Sequence, residues 1–516
     1  MSALAVLRSA DQAAQWLQAR VTGELRTDSR QIGRGDGFIA WPGAASDARQ
    51  YVAQALAQGA SACLVESQGA VAWNFDQGLA QSPGGSPIAG YQQLKAATGP
   101  IAAAYYGHPS RSITLLAVTG TNGKTSITWW LAQLLQKIEQ TSHSGCAVIG
   151  TLGIGIPPTL VYNGLTTPDP VLLQQQLRAF VGQGIGFCAI EASSIGIAER
   201  RLDGCEIRLG VFTNFTHDHL DYHGSMQAYW QAKAELFRWP GLQAAVINVD
   251  DPQGVELAGQ LQGTPVVVWT YGQIAAAQPT LLATQVRYER QAQANGLVFE
   301  VHEGAQTCTV RTSLIGHYNV SNVLAVVGSL RALGVSLAAA TAACAQVSSV
   351  PGRMECLGGG MLPLAVVDYA HTPDALDQAL RGLRPLAQAR GGQLWCVFGC
   401  GGDRDAAKRP AMAAIAERQA DQIVITSDNP RSEKPETIIS QILLGLSHGQ
   451  QREARVHVEP LRAQAIAHAV QAAAPQDVVL VAGKGHENFQ EIHGVRHAFS
   501  DQAQVRAGLS HREQAV

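Results

Sequence analysis

The stretch Leu115-Leu116-Ala117-Val118-Thr119-Gly120-Thr121-Asn122-Gly123-Lys124-Thr125 decides the fold. It reads as a buried strand, a tight glycine-rich turn and a helix opening at Ser126. Such a turn points several backbone N–H groups at one spot. The positive end of the helix dipole faces the same spot, so the spot binds phosphate. Lys124 can reach the outer phosphates, and Thr125 can place its hydroxyl on Mg²⁺. The longer Walker pattern wants a glycine at position 118, where this chain has Val118. The loop is therefore the shorter Gly-Thr-Asn-Gly-Lys-Thr form.

Outward from this loop, strand and helix patterns alternate. Strands are predicted at 113–118, 187–191, 209–213, 244–248 and 266–270, with helices at 126–139, 171–183 and 226–238. That alternation implies a mostly parallel sheet covered on both faces. After Val350-Pro351-Gly352 it restarts, with strands at 364–368, 394–399, 422–426 and 478–482. This reads as a separate doubly wound domain whose ligands sit beyond the strand C-termini. The first ~90 residues hold short strands and one helix near 51–58, and the turn-rich run Gln81–Pro87 is a candidate boundary. A chain of 516 residues suggests three domains, placed here at 1–92, 93–349 and 350–516. The polar tail from Ser510 is expected to be disordered.

A net charge of -3, with 46% hydrophobic and 15% charged residues, describes a soluble globular chain and gives no case for nucleic acid as the main partner. There is no apolar run of about 18 or more residues, so no membrane span is expected. Met1–Asp11 lacks an apolar export core, so a cytoplasmic protein is expected. The nine cysteines are scattered; the closest pair, Cys396 and Cys400, would need further ligands to hold a metal. Reduced thiols are the simpler reading.

Several polar motifs directly follow predicted strands. Glu191 ends an apolar strand, where a carboxylate is costly unless it meets a cation such as Mg²⁺ beside the phosphate loop. Thr213–Gly224 packs His217, His219 and His223 with Asp218 and Asp221, either a metal or phosphate neighbourhood or ordinary surface turn chemistry. Lys233, read alone, is a lysine on a helix face.

Together these motifs resemble the ATP-dependent Mur ligases of peptidoglycan synthesis. The resemblance rests on Gly120–Thr125, Glu191-Ala192-Ser193-Ser194, Asp218–Gly224, Gly316–Asn322, Pro351–Glu355 and Asp368–Pro373, in the family's order over nearly the whole chain. It implies an N-terminal domain for the UDP end of the substrate, a central P-loop ATPase-like parallel sheet and a Rossmann-like C-terminal domain. It implies that Gly120, Thr121, Asn122, Gly123, Lys124, Thr125, Asn319, Asn322, Arg353 and Asp368 serve ATP. It further implies that Lys233 becomes a carbamate, an anion able to share a second Mg²⁺ with His219. Carboxylation requires the neutral amine, which a neighbouring cation would favour.

Arg431, in Asp428-Asn429-Pro430-Arg431, follows one predicted strand of the C-terminal domain, and Glu487, in Gly483-Lys484-Gly485-His486-Glu487, follows another. Taken as adjacent strand ends, they would present Arg431 and Glu487 to one cleft. An arginine fork binds a carboxylate, and a glutamate suits an ammonium. The pair fits an amino-acid zwitterion, which meso-diaminopimelate carries at its far end and lysine does not. This is similar to the diaminopimelate-adding members of the family, and implies Arg404, Asp428, Asn429, Arg431, Gly483 and Glu487 as that pocket. For the UDP-muramoyl-dipeptide, the resemblance implies Ser29, Thr166, Thr167, Ser193 and Arg201. Ile195, Leu165 and Glu199 stand where the family often has histidine, asparagine and glutamine, and the loop Pro42–Ala48 lacks polar residues seen in some members. The implied reaction is amide formation through an acyl phosphate, by a monomer. A nucleotide-dependent regulatory protein would need neither Lys233 nor the Arg431–Glu487 pair.

Overall fold

The computed structural model describes residues 4–43, 46–75, 86–138, 145–290, 295–447 and 455–514. The expected boundary at Gln81–Pro87 falls mostly outside the described residues, as do positions 44 and 45 of the Pro42–Ala48 loop. Among the described residues the chain forms three α/β layers and one small hairpin.

Among the described residues the central sheet has eleven strands. Thr114–Thr119 lies inside it, paired in parallel with Phe187–Glu191 on one side and Ile207–Phe212 on the other. Cys146–Gly150 extends the parallel run on the first side; Ala244–Asn248, Val267–Gly272 and Leu281–Arg290 extend it on the second. Alternation along one strand feeds two cores. Leu116 and Val118 pack under the helices Lys124–Leu135 and Asn319–Ala332, while Leu115 and Ala117 face the helix Pro170–Gly182. The helix Lys124–Leu135 is buried over most of its surface, with Trp130 2% exposed and its indole N–H on Ser348 O at 2.8 Å.

The N-terminal sheet is small and parallel, in the order Val6–Leu7, Ile88–Tyr91, Ala62–Glu66, Gly37–Ala40, Leu25–Arg26. The helix Leu94–Tyr105 buries Leu94, Ile101 and Ala102 in that core together with Val171 from the central layer, so it joins the two.

The C-terminal sheet runs Glu355–Gly358, Leu364–Asp368, Val478–Ala482, Leu394–Phe398, Gln422–Ile425, Val456–Val458, parallel except at the first pair. Two expectations are corrected here. The strands that precede Asp428–Arg431 and Gly483–Glu487 are not neighbours, because Leu394–Phe398 lies between them. The tail is not disordered from Ser510, because Asp501–Gln514 is a helix anchored by Val505 and Leu509.

The same helix supplies a buried ion pair. Asp501 receives two hydrogen bonds from Arg462, at 2.8 and 2.7 Å, with both side chains fully buried. Arg462 also donates to Ser427 O at 3.2 Å and Ala482 O at 2.9 Å, tying together the ends of two non-adjacent strands. Removing one partner leaves an uncompensated buried charge. Asp501→Asn is therefore expected to destabilise the C-terminal layer by about 3–5 kcal/mol, read as an earlier urea transition. An unchanged midpoint would show that the pair carries no such weight.

Candidate active site

The phosphate loop sits at the C-terminal edge of the central sheet, where open α/β sheets bind ligands. Register places Glu191 beside Val118 and Phe212 beside Thr119, so the loop is flanked by Glu191 on one side and Thr213 on the other. The helix opens at Lys124, two residues earlier than expected. Gly120 has φ +141° and Gly123 φ +90°. A Cβ at Gly120 would lie 1.8 Å from Thr213 Oγ1, and one at Gly123 would lie 2.5 Å from Asn322 Oδ1. Both positions therefore demand glycine. The loop is fixed from the next strand: Asn122 N–H donates to Asn214 Oδ1 at 2.9 Å, and Thr213 Oγ1 donates to Asn122 O at 2.6 Å. Thr121 Oγ1 lies 3.1 Å from the Tyr229 hydroxyl. Lys124 Nζ curls back onto Gly120 O and Thr121 O, at 2.8 and 2.9 Å.

Lys233 is not a surface lysine. It is 1% exposed, donates to Gly120 O at 2.8 Å, and lies 4.4 Å from the Tyr229 ring centroid. Burial first, and the Lys124 cation second, hold its pKa well below the usual lysine value. His219 has φ +52°, and its Nε2 lies 3.5 Å from Asp218 Oδ2. Burial lowers its pKa, with the Lys124 and Lys233 cations adding to the effect. Glu191 is 1% exposed. Its Oε2 accepts from Thr125 Oγ1 at 3.0 Å and Thr151 Oγ1 at 3.1 Å, and its Oε1 accepts from Thr151 N–H at 2.8 Å. The histidines of the Thr213–Gly224 run do not converge: His223 Nε2 lies 3.0 Å from Ser194 Oγ instead. Among the described residues no three His, Cys, Asp or Glu side chains are grouped to hold a metal. Thr125 and Glu191 nevertheless form an oxygen donor set of the kind Mg²⁺ takes when phosphates and waters complete its shell.

The loop opens into a cavity of about 600 Å³ lined by both the central and the C-terminal layers. Asn319 and Asn322 line it from one helix, with Asn322 Nδ2 donating to Asn319 Oδ1 at 2.9 Å. From the C-terminal side come Arg353 and Asp368. Arg353 stacks 4.5 Å over Tyr369 and donates to Thr125 Oγ1 at 3.4 Å, while its Nε is buried with no hydrogen-bond partner among the described residues. Asp368 Oδ2 accepts from Met354 N–H at 2.7 Å, and burial raises its pKa. The orphaned Arg353 Nε and the cationic loop make the cavity fit an anionic nucleotide.

Thr166 and Ser193 line the same cavity. Thr166 Oγ1 is 3.1 Å from Thr151 Oγ1, and Ser193 Oγ is 2.9 Å from Thr167 Oγ1. Thr167 is fully buried and Arg201 donates to its carbonyl at 2.9 Å, so these two support that wall from behind. Ser29 lies in the N-terminal layer on the turn Ser29–Gln31, away from the cavity. Asp169 caps the helix following Thr166-Thr167, accepting from Val171 N–H at 3.1 Å and Leu172 N–H at 3.2 Å. Glu199 has its own local role: it pairs with Lys95 at 2.7 Å and accepts from the Tyr222 hydroxyl.

The second polar cluster lies where the C-terminal strands end. A strand separates its two loops, yet they touch because the connection above that strand is built of glycine. A Cβ at Gly399 would lie 2.4 Å from Thr426 O, and one at Gly402 would lie 2.0 Å from Pro430 O. Asn429 Nδ2 then reaches Glu487 Oε2 at 2.8 Å. Arg431 has φ +51°, donates to Gly402 O at 2.7 Å and lies 3.8 Å from Glu491 Oε2. Asp428 is 8% exposed and would be met at 2.4 Å by a Cβ on Gly483. Arg404 is exposed, on the turn that also carries Asp403. Tyr369 and His486, 5.1 Å apart, join this cluster to the nucleotide cavity.

Residues 118–330 match the family described as Mur ligase middle domain, and residues 352–485 match Mur ligase, glutamate ligase domain. The chain belongs to the Mur ligase family. It is 54% identical over 515 residues, 99% of both chains, to the UDP-N-acetylmuramoyl-L-alanyl-D-glutamate–2,6-diaminopimelate ligase of Acidovorax sp. (strain JS42). It is 46% identical, over 96% of both chains, to the protein of the same name from Janthinobacterium sp. (strain Marseille). A solved structure of such a ligase aligns with TM-score 0.64 at 34% identity, over 95% of each chain. As in Mur ligases generally, the chemistry is ATP-dependent amide formation.

Sequence reading missed Thr151, which holds both oxygens of Glu191 across 40 residues of chain. It also missed Tyr229 and Asn214, which brace the phosphate loop. Asn214 carried a signal, since it directly follows a strand end beside the loop.

Proposed function

We propose that this chain joins meso-diaminopimelate to UDP-N-acetylmuramoyl-L-alanyl-D-glutamate and converts ATP to ADP and phosphate. The terminal D-glutamyl carboxylate attacks the γ-phosphate, an acyl phosphate forms, and the diaminopimelate amine displaces phosphate. The observation that carries the reading is the join between two sites. A phosphate-loop cavity and an acid–arginine cluster meet at Tyr369 and His486, so activated carboxyl and incoming amine can converge.

The loop N–H groups, Lys124 and Arg353 neutralise charge on the transferring phosphoryl group. Asn319 and Asn322 face the nucleoside, and Asp368 orients Arg353 and the ribose side. Thr125 and Glu191 would hold one Mg²⁺; His219 and a carbamate on Lys233 would hold a second. Bound there, Mg²⁺ supplies charge stabilisation to the phosphates. Thr166 and Ser193 would contact the dipeptide, with Thr167 and Arg201 behind them and Ser29 at the uridine end. Arg404, Asp428, Asn429, Arg431, Gly483 and Glu487 form the diaminopimelate pocket. The working units are 1–92, 93–349 and 350–516, with Leu94–Tyr105 as the link. We place the protein in the cytoplasm as a monomer, serving wall growth and hence cell shape and division; no described helix is long and apolar enough to cross a membrane.

Phosphate release with ATP, the UDP-dipeptide and a panel of amino acids tests this. Release with diaminopimelate and little with lysine is expected, since lysine brings no distal carboxylate to the Arg431 fork. Arg431→Ala should raise the diaminopimelate KM by roughly 10–100-fold, at 1.5–3 kcal/mol per hydrogen bond to a charged group. ATP and UDP-dipeptide KM should hardly move. Arg431→Lys should rescue little, because an ammonium lacks the planar fork. Equal use of lysine would overturn the selectivity argument and leave the ligase reading standing.

A further inference from the structure

Lys484 is fully buried between the two loops of the acid–arginine cluster. Its Nζ donates to Glu487 Oε2 and Asn429 Oδ1, each at 2.9 Å, and faces the Phe489 ring at 5.6 Å. Asn429 Nδ2 donates to the same Glu487 oxygen at 2.8 Å, and Glu491 N–H donates to Asn429 Oδ1 at 3.0 Å. The amide of Asn429 cannot flip in this arrangement, because its oxygen meets two donors and its nitrogen a carboxylate. Glu487 Oε2 is occupied twice from within the protein. Among the described residues Oε1 has no hydrogen-bond partner, and the side chain remains 20% exposed.

We infer that Lys484 is a positioning residue for amino-acid selectivity: it locks Glu487 and Asn429 so that one carboxylate oxygen is turned outward for the distal ammonium of the substrate. The inference rests on the reading that Glu487 receives that ammonium. A buried cation does this better than a second amide. It supplies the opposite charge in a pocket that also holds Asp428, and its three hydrogens reach both partners and the ring face. The other groups around Glu487 do not take the place of Lys484. Arg462 is committed to Asp501, Arg431 and Glu491 lie together at 3.8 Å, and His486 is held by burial down to about 3 and stays neutral. The Tyr369 hydroxyl beside it is pushed up by burial and also stays neutral.

Lys484→Met keeps the chain length and removes the charge. The diaminopimelate KM is expected to rise about tenfold or more, with kcat and the ATP KM within about twofold. A merely structural lysine would instead lower kcat or raise every KM together, and that result would overturn the inference. Glu487→Gln separates the two claims: if it leaves the diaminopimelate KM unchanged, the reading of Glu487 is wrong. If Glu487→Gln raises the KM and Lys484→Met does not, the positioning role is wrong. Should Lys484→Met fail to fold, the double variant Lys484→Met/Glu487→Gln buries no lone charge. Its KM should match Glu487→Gln alone, and a further tenfold loss would sink the coupling.

Discussion

Lys124→Ala is expected to lower tripeptide formation by at least roughly 10²–10³-fold while the chain stays folded, the scale found when a single donor is removed from a charge-stabilising site. Phosphoryl transfer gives the protein little covalent work, so positioned charge carries most of the catalysis. The loop does not depend on Lys124 for its shape, because Thr213 and Asn214 fix Asn122 and the glycines fix the turn. A second effect acts in the same direction. The Lys124 cation helps hold the Lys233 amine neutral, so its removal lets Lys233 recover a proton. Losses at the two lysines should therefore not add: the double alanine variant should be little worse than either single one. Coupled phosphate release measures the rates, and far-ultraviolet circular dichroism checks folding. Activity within about tenfold of wild type would sink the assignment of the loop.

The loop was legible in the sequence because its needs are local. Glycines at two positive-φ positions, Lys-Thr and a buried strand stand within a dozen residues. The interior parallel strands were legible for a similar reason: both faces are buried, so Phe187–Glu191, Ala244–Asn248, Leu364–Asp368 and Val478–Ala482 read as unbroken apolar runs and match to the residue. The strands Leu281–Arg290, Asn295–Glu303 and Gln306–Arg311 escaped notice. They pair antiparallel with one another, are partly exposed, and the first pair is interrupted by an irregular register between Thr284 and Arg287. Strand order was not legible at all. Nothing local to Asp428–Arg431 says that Leu394–Phe398 lies between it and Gly483–Glu487, and only the glycines at 399 and 402 hint that two loops close over a third. The helix Asp501–Gln514 buries few residues, so its sequence reads as a polar tail. The buried state of Lys233 was the costliest thing to miss. Its helix is capped by Ser225 and carries no strong apolar stripe, so a residue packed against a carbonyl 113 positions away looks like any surface lysine.

That burial is what makes Lys233 testable. Its ammonium is disfavoured by desolvation and by Lys124, and the neutral amine is the form that adds CO₂. In the proposed carboxylation the N–C bond forms, one proton leaves, and a carbamate anion replaces the neutral amine. The exchange would turn a buried amine beside two positive groups, Lys124 and the helix N-terminus, into their counter-charge. Lys233→Ala is expected to lose at least roughly 10²–10³-fold in activity, because the proposed anion beside the phosphate loop is gone. A short carboxylic acid such as acetate or propionate should restore part of it, since the vacated space sits against Tyr229 and Gly120 O and lacks only a negative group. Two further readings separate this from simple loss of packing. Mass spectrometry of the wild type under ¹³CO₂, with trapping of the adduct, should label Lys233. Lowering the pH should cost activity as the amine is reprotonated and CO₂ is released, and added bicarbonate should shift that loss to lower pH. The alanine variant rescued by acetate should not respond to bicarbonate. An unlabelled Lys233 in the active enzyme, or an alanine variant with undiminished activity, would remove the carbamate from the mechanism and leave the lysine as a brace for the phosphate loop.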